Sequence, residues 1–487
     1  MRKGRVAVFV WILFLGSALG QDAVDRTISE ALKPSPLGPN LERLTDQIGG
    51  RVPGTPAMQK AVEWGIDAFK AAGADAVDTE SFTVPTSWAE GATQMNVVAP
   101  EKFNVRAISL AWAPALEAQH NVRVIDVGGG GAEDFAKAGD ISGAILLVHS
   151  EEMKTWADLF AEYLKAPAII DRAVRAGALA IAFQSTRPHD LLYRHTNSLA
   201  GEIDRLPMVL VAREDAERMS RLMTSGQKLY ADLAIPNFVG GPIRSANVIA
   251  ELRGSEKPDE FVVLGAHLDS WELGTGALDN GCNAALVIDA LRAIKAVGKP
   301  PRRSIRFILF SGEEQGLLGS HAYVLAHRSE LDKAAGVVVF DAGTGKVTGF
   351  SVGGRKDILP AAGQLVAPLK QFDADSLTSD MQWGTDHFDF MLEGVPTFVA
   401  NQDTANYLIN YHASSDTFDK VDLGQLKKHV AEAAALVLGI SNYPGRIGPR
   451  LTHAQIEQSM AETDFIDLMK TFGMWDTWQS RKVGRVD

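Results

Sequence analysis

The chain predicts an α/β protein: a mixed, mostly parallel central sheet flanked by helices, with a second α/β unit inserted into it. From Ala246 onward, short runs rich in Val, Ile, Leu and Phe alternate with helical patterns, as strands covered on both faces require. Between 114 and 245 the texture changes to a separate succession of short β-like runs and helical stretches. The length of 487 residues exceeds one ordinary core, and 46% apolar with 22% charged residues describes a soluble globular chain.

Residues 1–20 read as a cleavable signal peptide. Arg2, Lys3 and Arg5 precede an apolar run from Val6 to Leu15, and Gly16-Ser-Ala-Leu-Gly20 supplies small residues for cleavage. A bilayer span needs about 20 apolar residues, so this run is too short to cross one. A secreted or periplasmic protein is expected.

The main domain is expected over 21–113 and 246–445. Leu41 to Ile48 reads as a helix. Thr55 precedes an amphipathic run carrying Ala61, Trp64, Ile66, Phe69 and Ala72, which Gly73 closes. Strand-like pieces follow at Ala76 to Val84, Met95 to Val98 and Val105 to Leu110. The insert over 114–245 carries β-like runs beginning at Val122, Gly143, Ala178 and Pro207. Its helical patterns run over Asp158 to Lys165, Ile169 to Ala176 and Arg213 to Ser225. Its glycine run, Gly128 to Gly131, lacks a following Lys-Ser/Thr and is not a phosphate loop.

In the second block of the main domain, Val248 to Leu252, Phe261 to Gly265, Ile305 to Phe310, Val337 to Phe340 and Val395 to Ala400 are fit for central strands. Helices are expected at Ala284 to Ala296, Glu314 to Ala326 and Leu423 to Ser441. The remainder, 446–487, is a helical extension, with one helix from His453 to Phe472. Cys282 is the sole cysteine, so no internal disulfide forms, and it reads as a buried small hydrophobe. A net charge of −12 argues against nucleic acid and membrane surfaces as partners.

Histidines and acids gather where strands of the second block should end. His267-x-Asp269 is followed by Asp279 at a helix mouth. Glu313-Glu314 and Asp341 each follow a strand, and Tyr411-His412 lies in a polar loop ending Ser-Asp416-Thr. Parallel strands bring their carboxyl ends to one crevice. Imidazole and carboxylate together suit zinc or a similar divalent ion, and two ions would need one bridging carboxylate. Of the adjacent pair Glu313 and Glu314, one can bind metal while the other moves a proton. Each signal alone has a plainer reading. Glu-Glu at a helix start complements the dipole, Asp279 and Asp341 could cap or turn, and His412 could lie on the surface. Their shared placement outweighs those readings.

His267-Leu-Asp-Ser, Leu278-Asp279-Asn, Ser311-Gly-Glu313-Glu314-Gln-Gly and His412 in its Ser-Asp-Thr loop resemble the co-catalytic zinc exopeptidases, which include aminopeptidases and glutamate carboxypeptidases. The resemblance extends from about Leu41 to Tyr443, and the insert looks like a protease-associated domain. It implies two Zn2+ per chain, with His267 and Asp341 on one ion, Glu314 and His412 on the other, and Asp279 bridging. Cobalt or manganese could take the same ligands. It further implies Glu313 as general base and Asp269 as the carboxylate orienting His267. The implied activity is hydrolysis of dipeptides or short unblocked peptides by a metallopeptidase, with a homodimer as the assembly. Asp386 and His387 are expected on the substrate side, and Tyr411 or His387 as oxyanion donor. Glu272 is expected to be solvated, and His189 and His195, beside Arg187 and Arg194, to lie on the surface rather than to reach a substrate carboxylate. Two other classes compete: a non-catalytic receptor or binding module on the same fold, expected to lack ligands, and a single-zinc acyltransferase of the glutaminyl-cyclase type.

Overall fold

The apolar runs of the second block assemble into the middle of an eight-stranded sheet, described here by a computed structural model covering residues 22–486. Its strand order is Ala76–Val84, Ile243–Leu252, Arg303–Phe310, Lys257–His267, Ala334–Val339, Thr397–Gln402, Val347–Ser351, Ser376–Thr378. The four strands from Arg303–Phe310 to Thr397–Gln402 run parallel. Ile243–Leu252, expected among the central parallel strands, instead pairs antiparallel with Arg303–Phe310. Its alternating exposure, with one residue in two only half-buried, is what a flanking strand tolerates. In the parallel register His267 stands beside Phe310, and Gly265 beside Val339, so His267, Glu313 and Asp341 leave the sheet at one edge. The fold class read from the sequence holds.

Helices cover both faces. Pro56–Ala72 begins where the Thr55 hydroxyl accepts from the Met58 N–H at 3.2 Å and ends at Gly73, whose φ of 92° closes the last turn. Cys282–Ala296 and Leu423–Asn442 pack together against the central strands, and the free Cys282 is buried at the start of the first. The stretch expected as one helix over 41–48 is a short α-helix, Leu37–Glu42, widening into π turns at Arg43–Ile48. The helix expected from Glu314 starts only at Leu318, because Glu313 to Leu317 form a tight turn instead. Glu314 therefore lies outside a helical first turn, and dipole complementation does not explain it.

A second eight-stranded sheet, with hydrophobic clusters on both faces, carries the insert. It takes in Gln94–Ala99, Phe103–Val105 and Ala107–Ser109, so the boundary expected at 114 falls inside it. No glycine- or proline-rich linker marks the crossing, and short alternating strands fit either sheet equally well. The helical patterns over 158–165 and 169–176 are one helix, Trp156–Arg175, running through Pro167. The expected C-terminal helix is broken into His453–Ala461, Phe465–Thr471 and Trp475–Gln479. Among the described residues no helix is long and apolar enough to cross a membrane. The signal-peptide reading of 1–20 lies outside the described residues.

On Leu423–Asn442, Glu432 is 1% exposed and its Oε2 has no hydrogen-bond partner. Burial pushes its carboxyl up to about 8, against the pull of Lys428 and Lys346. The unfolded chain releases this proton near 4.3 and the folded chain holds it to about 8, so this group's stability is full in acid and is lost as pH rises between them. Glu432→Gln should match the native chain near pH 4.5 and exceed it by roughly 5 kcal/mol near pH 8.5, read from urea unfolding at both.

Candidate metal centre

His267 ends its strand buried, and its Nδ1–H donates to the Asp269 carbonyl at 3.0 Å. A carbonyl only accepts, so the proton is fixed on Nδ1 and the Nε2 lone pair faces the crevice. There Nε2 is 3.0 Å from Asp341 Oδ1 and 3.2 Å from Asp279 Oδ1. On the other side His412 Nε2 is 2.8 Å from Glu314 Oε2 and 3.3 Å from Asp279 Oδ2. Two groups able to hold a metal ion result, His267–Asp279–Asp341 and Asp279–Glu314–His412. Asp279 gives one oxygen to each, the arrangement a bridging carboxylate needs.

Glu313 belongs to neither group. Its Oε2 is 4.0 Å from His267 Nε2, and it lines the adjoining cavity. Asp269 serves differently from the expected orienting role. Its carboxylate is 3.7 Å from His267 Nδ1 and instead accepts from the Glu313 and Glu314 backbone N–H groups, both at 3.3 Å. The backbone carbonyl orients the imidazole, and the side chain sets the turn that carries both glutamates.

The donor set fits a divalent cation. Buried together, Glu313, Glu314 and Asp341 hold protons they would normally lose, while His267 and His412 hold Asp279 well below the usual carboxylate range despite its burial. Burial, with Asp279 adding, keeps Glu314 up near 7 and Asp341 near 6. Glu313 is held well above the usual carboxylate range by burial and by Asp341, Glu314 and Asp386, despite His267. Burial pulls His412 down, yet Glu314 and Asp279 hold it at about 9. Asp279 Oδ2 and Glu314 Oε1 are buried without a hydrogen-bond partner. Concentrated negative charge and unused carboxylate oxygens are what a metal site offers.

Outside the expected residues, Arg51 and Asp416 build the loop that presents Asp279. The buried Arg51 guanidinium donates to four carbonyls, those of Leu268, Gly49, Thr275 and Gly276, at 2.6–2.9 Å. The Asp416 carboxylate accepts from the N–H groups of Ala277, Leu278 and Asp279 at 3.1, 2.7 and 3.1 Å. At Gly274 a Cβ would stand 2.6 Å from the Ala413 carbonyl oxygen, so only glycine lets the two loops touch. In the sequence the only signal for this role is the Ser-Asp-Thr that ends the His412 loop.

The insert holds the other side. The Arg194 N–H donates to the His412 carbonyl at 2.9 Å, the Ser414 N–H to the Leu192 carbonyl at 3.2 Å, and Arg187 to the Tyr411 carbonyl at 3.1 Å. Arg194 is 1% exposed and pairs with Glu272 at 2.6 Å and with Glu90. The surface reading of His195 is thereby corrected, since it is buried along with Arg187 and Arg194, and Glu272 is not simply solvated. His189 is exposed as expected. These contacts keep His412 at a φ of 59°, a left-handed conformation costly for a residue with a Cβ.

A cavity of about 390 Å³ opens beside the cluster, lined among others by Trp156, Tyr163, Trp383, Tyr407 and Tyr411. Tyr411 stacks on the His412 ring at 3.6 Å and shares a 2.8 Å hydrogen bond with the Tyr163 hydroxyl. Asp386 and His387, expected on the substrate side, are fully buried and do not line it. They open the buried helix His387–Leu392, and His387 Nδ1 is 2.5 Å from the Thr385 hydroxyl.

Fold, site and relatives together support a zinc-dependent metallopeptidase. The model of Peptidase family M28 matches residues 247–437, the span holding both candidate groups and Glu313. More particularly, the chain is similar to carboxypeptidase Q. The Homo sapiens protein is 26% identical over 405 residues, covering 83% of this chain and 84% of the relative. Aminopeptidase YwaD of Bacillus subtilis is 27% identical over 406 residues, 80% of each. A solved Peptidase M28 precursor from Shewanella amazonensis matches with a TM-score of 0.80 at 26% identity, over 89% of this chain and 99% of that one. A zinc aminopeptidase from Bacillus subtilis shares the fold, with a TM-score of 0.63 at 23% identity over 83% and 93%.

Asp416→Asn should weaken zinc binding, because its amide would turn N–H toward one of three N–H donors and slacken the Asp279 loop. A loss of roughly 10–100-fold in zinc affinity is expected from chelator competition.

Proposed function

We propose that the chain is a secreted or periplasmic exopeptidase that hydrolyses dipeptides or short unblocked peptides with two zinc ions and Glu313 as general base. The observation that carries this reading is the Asp279 carboxylate, set between His267 and His412, with Glu313 beside the cluster but outside both groups. His267, Asp279 and Asp341 would hold one ion, and Asp279, Glu314 and His412 the other. Bound there, the pair would supply Lewis acidity to a scissile carbonyl and lower the pKa of an attacking water.

The chain's own groups do the rest. Glu313 takes the proton from the attacking water and passes it to the leaving amine, a role suited to a carboxyl whose proton affinity burial has raised. The Tyr411 hydroxyl, on the cavity wall beside His412, donates to the oxygen that gains charge. The helix Trp156–Arg175 contributes Trp156, Leu159, Phe160 and Tyr163 to the wall, so the insert limits substrate length. The domain division that supports this is catalytic residues to about 93 and from 243, with the insert between. A single-zinc acyltransferase would leave one of the two groups unused, and a receptor would have no use for either.

Elemental analysis should find about two zinc ions per chain under metal-replete conditions, and one or none would end the two-ion reading. Glu313→Gln should keep that metal content while losing on the order of 10²–10⁴ in turnover. Glu314→Gln should lose metal and recover partly when zinc is added. Metal content and turnover measured together separate the roles, and the opposite pattern would reverse them.

A further inference from the structure

The C-terminal extension has no part in the mechanism above, yet it stands directly behind the cavity. Trp383 lines the cavity and stacks on Phe472, ring centroids 4.3 Å apart and planes 20° apart. Tyr163, from the insert, meets the Trp383 ring edge-on at 6.0 Å. The apolar cluster that includes Leu317 and Trp383 continues into Phe465, Met469 and Trp478 of the extension, with Phe472 packed against it. Helix Phe465–Thr471 also lies against Trp156–Arg175, so one short helix touches both units that frame the cavity. The extension is fixed at its far end as well, where the Arg485 N–H donates to the Leu392 carbonyl at 3.0 Å and Trp478 stacks on His453.

We propose that the extension sets the selectivity of the apolar side-chain subsite, with Phe472 as a positioning residue that holds the Trp383 indole as its wall. This rests on the peptidase reading and deepens it. An indole stacked from behind presents a flat, fixed surface to an aromatic or long aliphatic side chain. Without the ring of Phe472 the indole is free to turn into the space left behind it, and the wall loses its shape. A small side chain such as alanine's does not reach that wall and does not register the change.

The test uses the full-length, zinc-loaded protein and Phe472→Ala, with Phe472→Tyr as the conservative control. Unblocked dipeptides carrying phenylalanine or leucine at either position are compared with dialanine. Phe472→Ala should raise KM for the large substrates about 5–20-fold, leave kcat within twofold, and leave dialanine and zinc content unchanged. Phe472→Tyr should restore the preference. A merely structural role would lower turnover of every substrate alike, and that result, or an unchanged preference in Phe472→Ala, overturns the proposal. If the native chain cleaves no dipeptide, the peptidase reading falls by itself. Selectivity is then read from calorimetric binding of free phenylalanine against alanine, where an equal ratio in native and Phe472→Ala protein overturns the proposal and a reduced one upholds it.

Discussion

One carboxylate, that of Asp279, faces two imidazoles at once, and most polar contacts around it keep it there. A carboxylate serves two partners only if its plane is fixed, since a modest rotation gives up one of them. Arg51 fixes the loop before it through four carbonyls, and Asp416 fixes its own N–H and the two preceding ones. Both partners are buried charges whose cost is met by complete hydrogen bonding, as an isolated guanidinium or carboxylate at that depth could not be. Burial pulls the Arg51 guanidinium down to about 10, while Asp416 and Asp269 sustain its charge.

The sheet contributes direction and the loops contribute distance. Parallel strands bring His267, the Glu313 turn and Asp341 to one edge without any special sequence, because register alone aligns their ends. Asp279 and His412 lie on no strand, so they depend on loop-to-loop contacts. That is why the supporting arginines and the second aspartate cluster on their side of the site.

This division also explains what was legible. Apolar runs gave the central strands, and the acids and histidines gathered near their ends gave a single crevice, since those signals are local, while the division into two groups came from the resemblance to the co-catalytic exopeptidases. Arg51 and Arg194 were opaque, because a buried arginine is recognised by its carbonyls and carboxylates, and here all but the Gly49 carbonyl come from more than 70 positions away. The limits of the second sheet failed for a related reason: Val105-Arg-Ala-Ile-Ser-Leu110 suits an edge of either sheet, and only long-range pairing with Met208–Val211 decides. Asp386 and His387 misled because a loop carboxylate beside a histidine suggests solvent and substrate. Here the pair begins a helix whose six residues are all buried.

The insert reaches the His412 loop through main-chain bonds, Arg194 N–H to His412 and Ser414 N–H to Leu192. Such bonds are indifferent to side-chain identity. Any residue other than proline at 194 or 414 can donate them. At 414 the contact therefore places no demand on the side chain, whereas at 194 the buried guanidinium, paired with Glu272 and Glu90, adds one, so the arm tolerates change on one side of the pairing and not on the other.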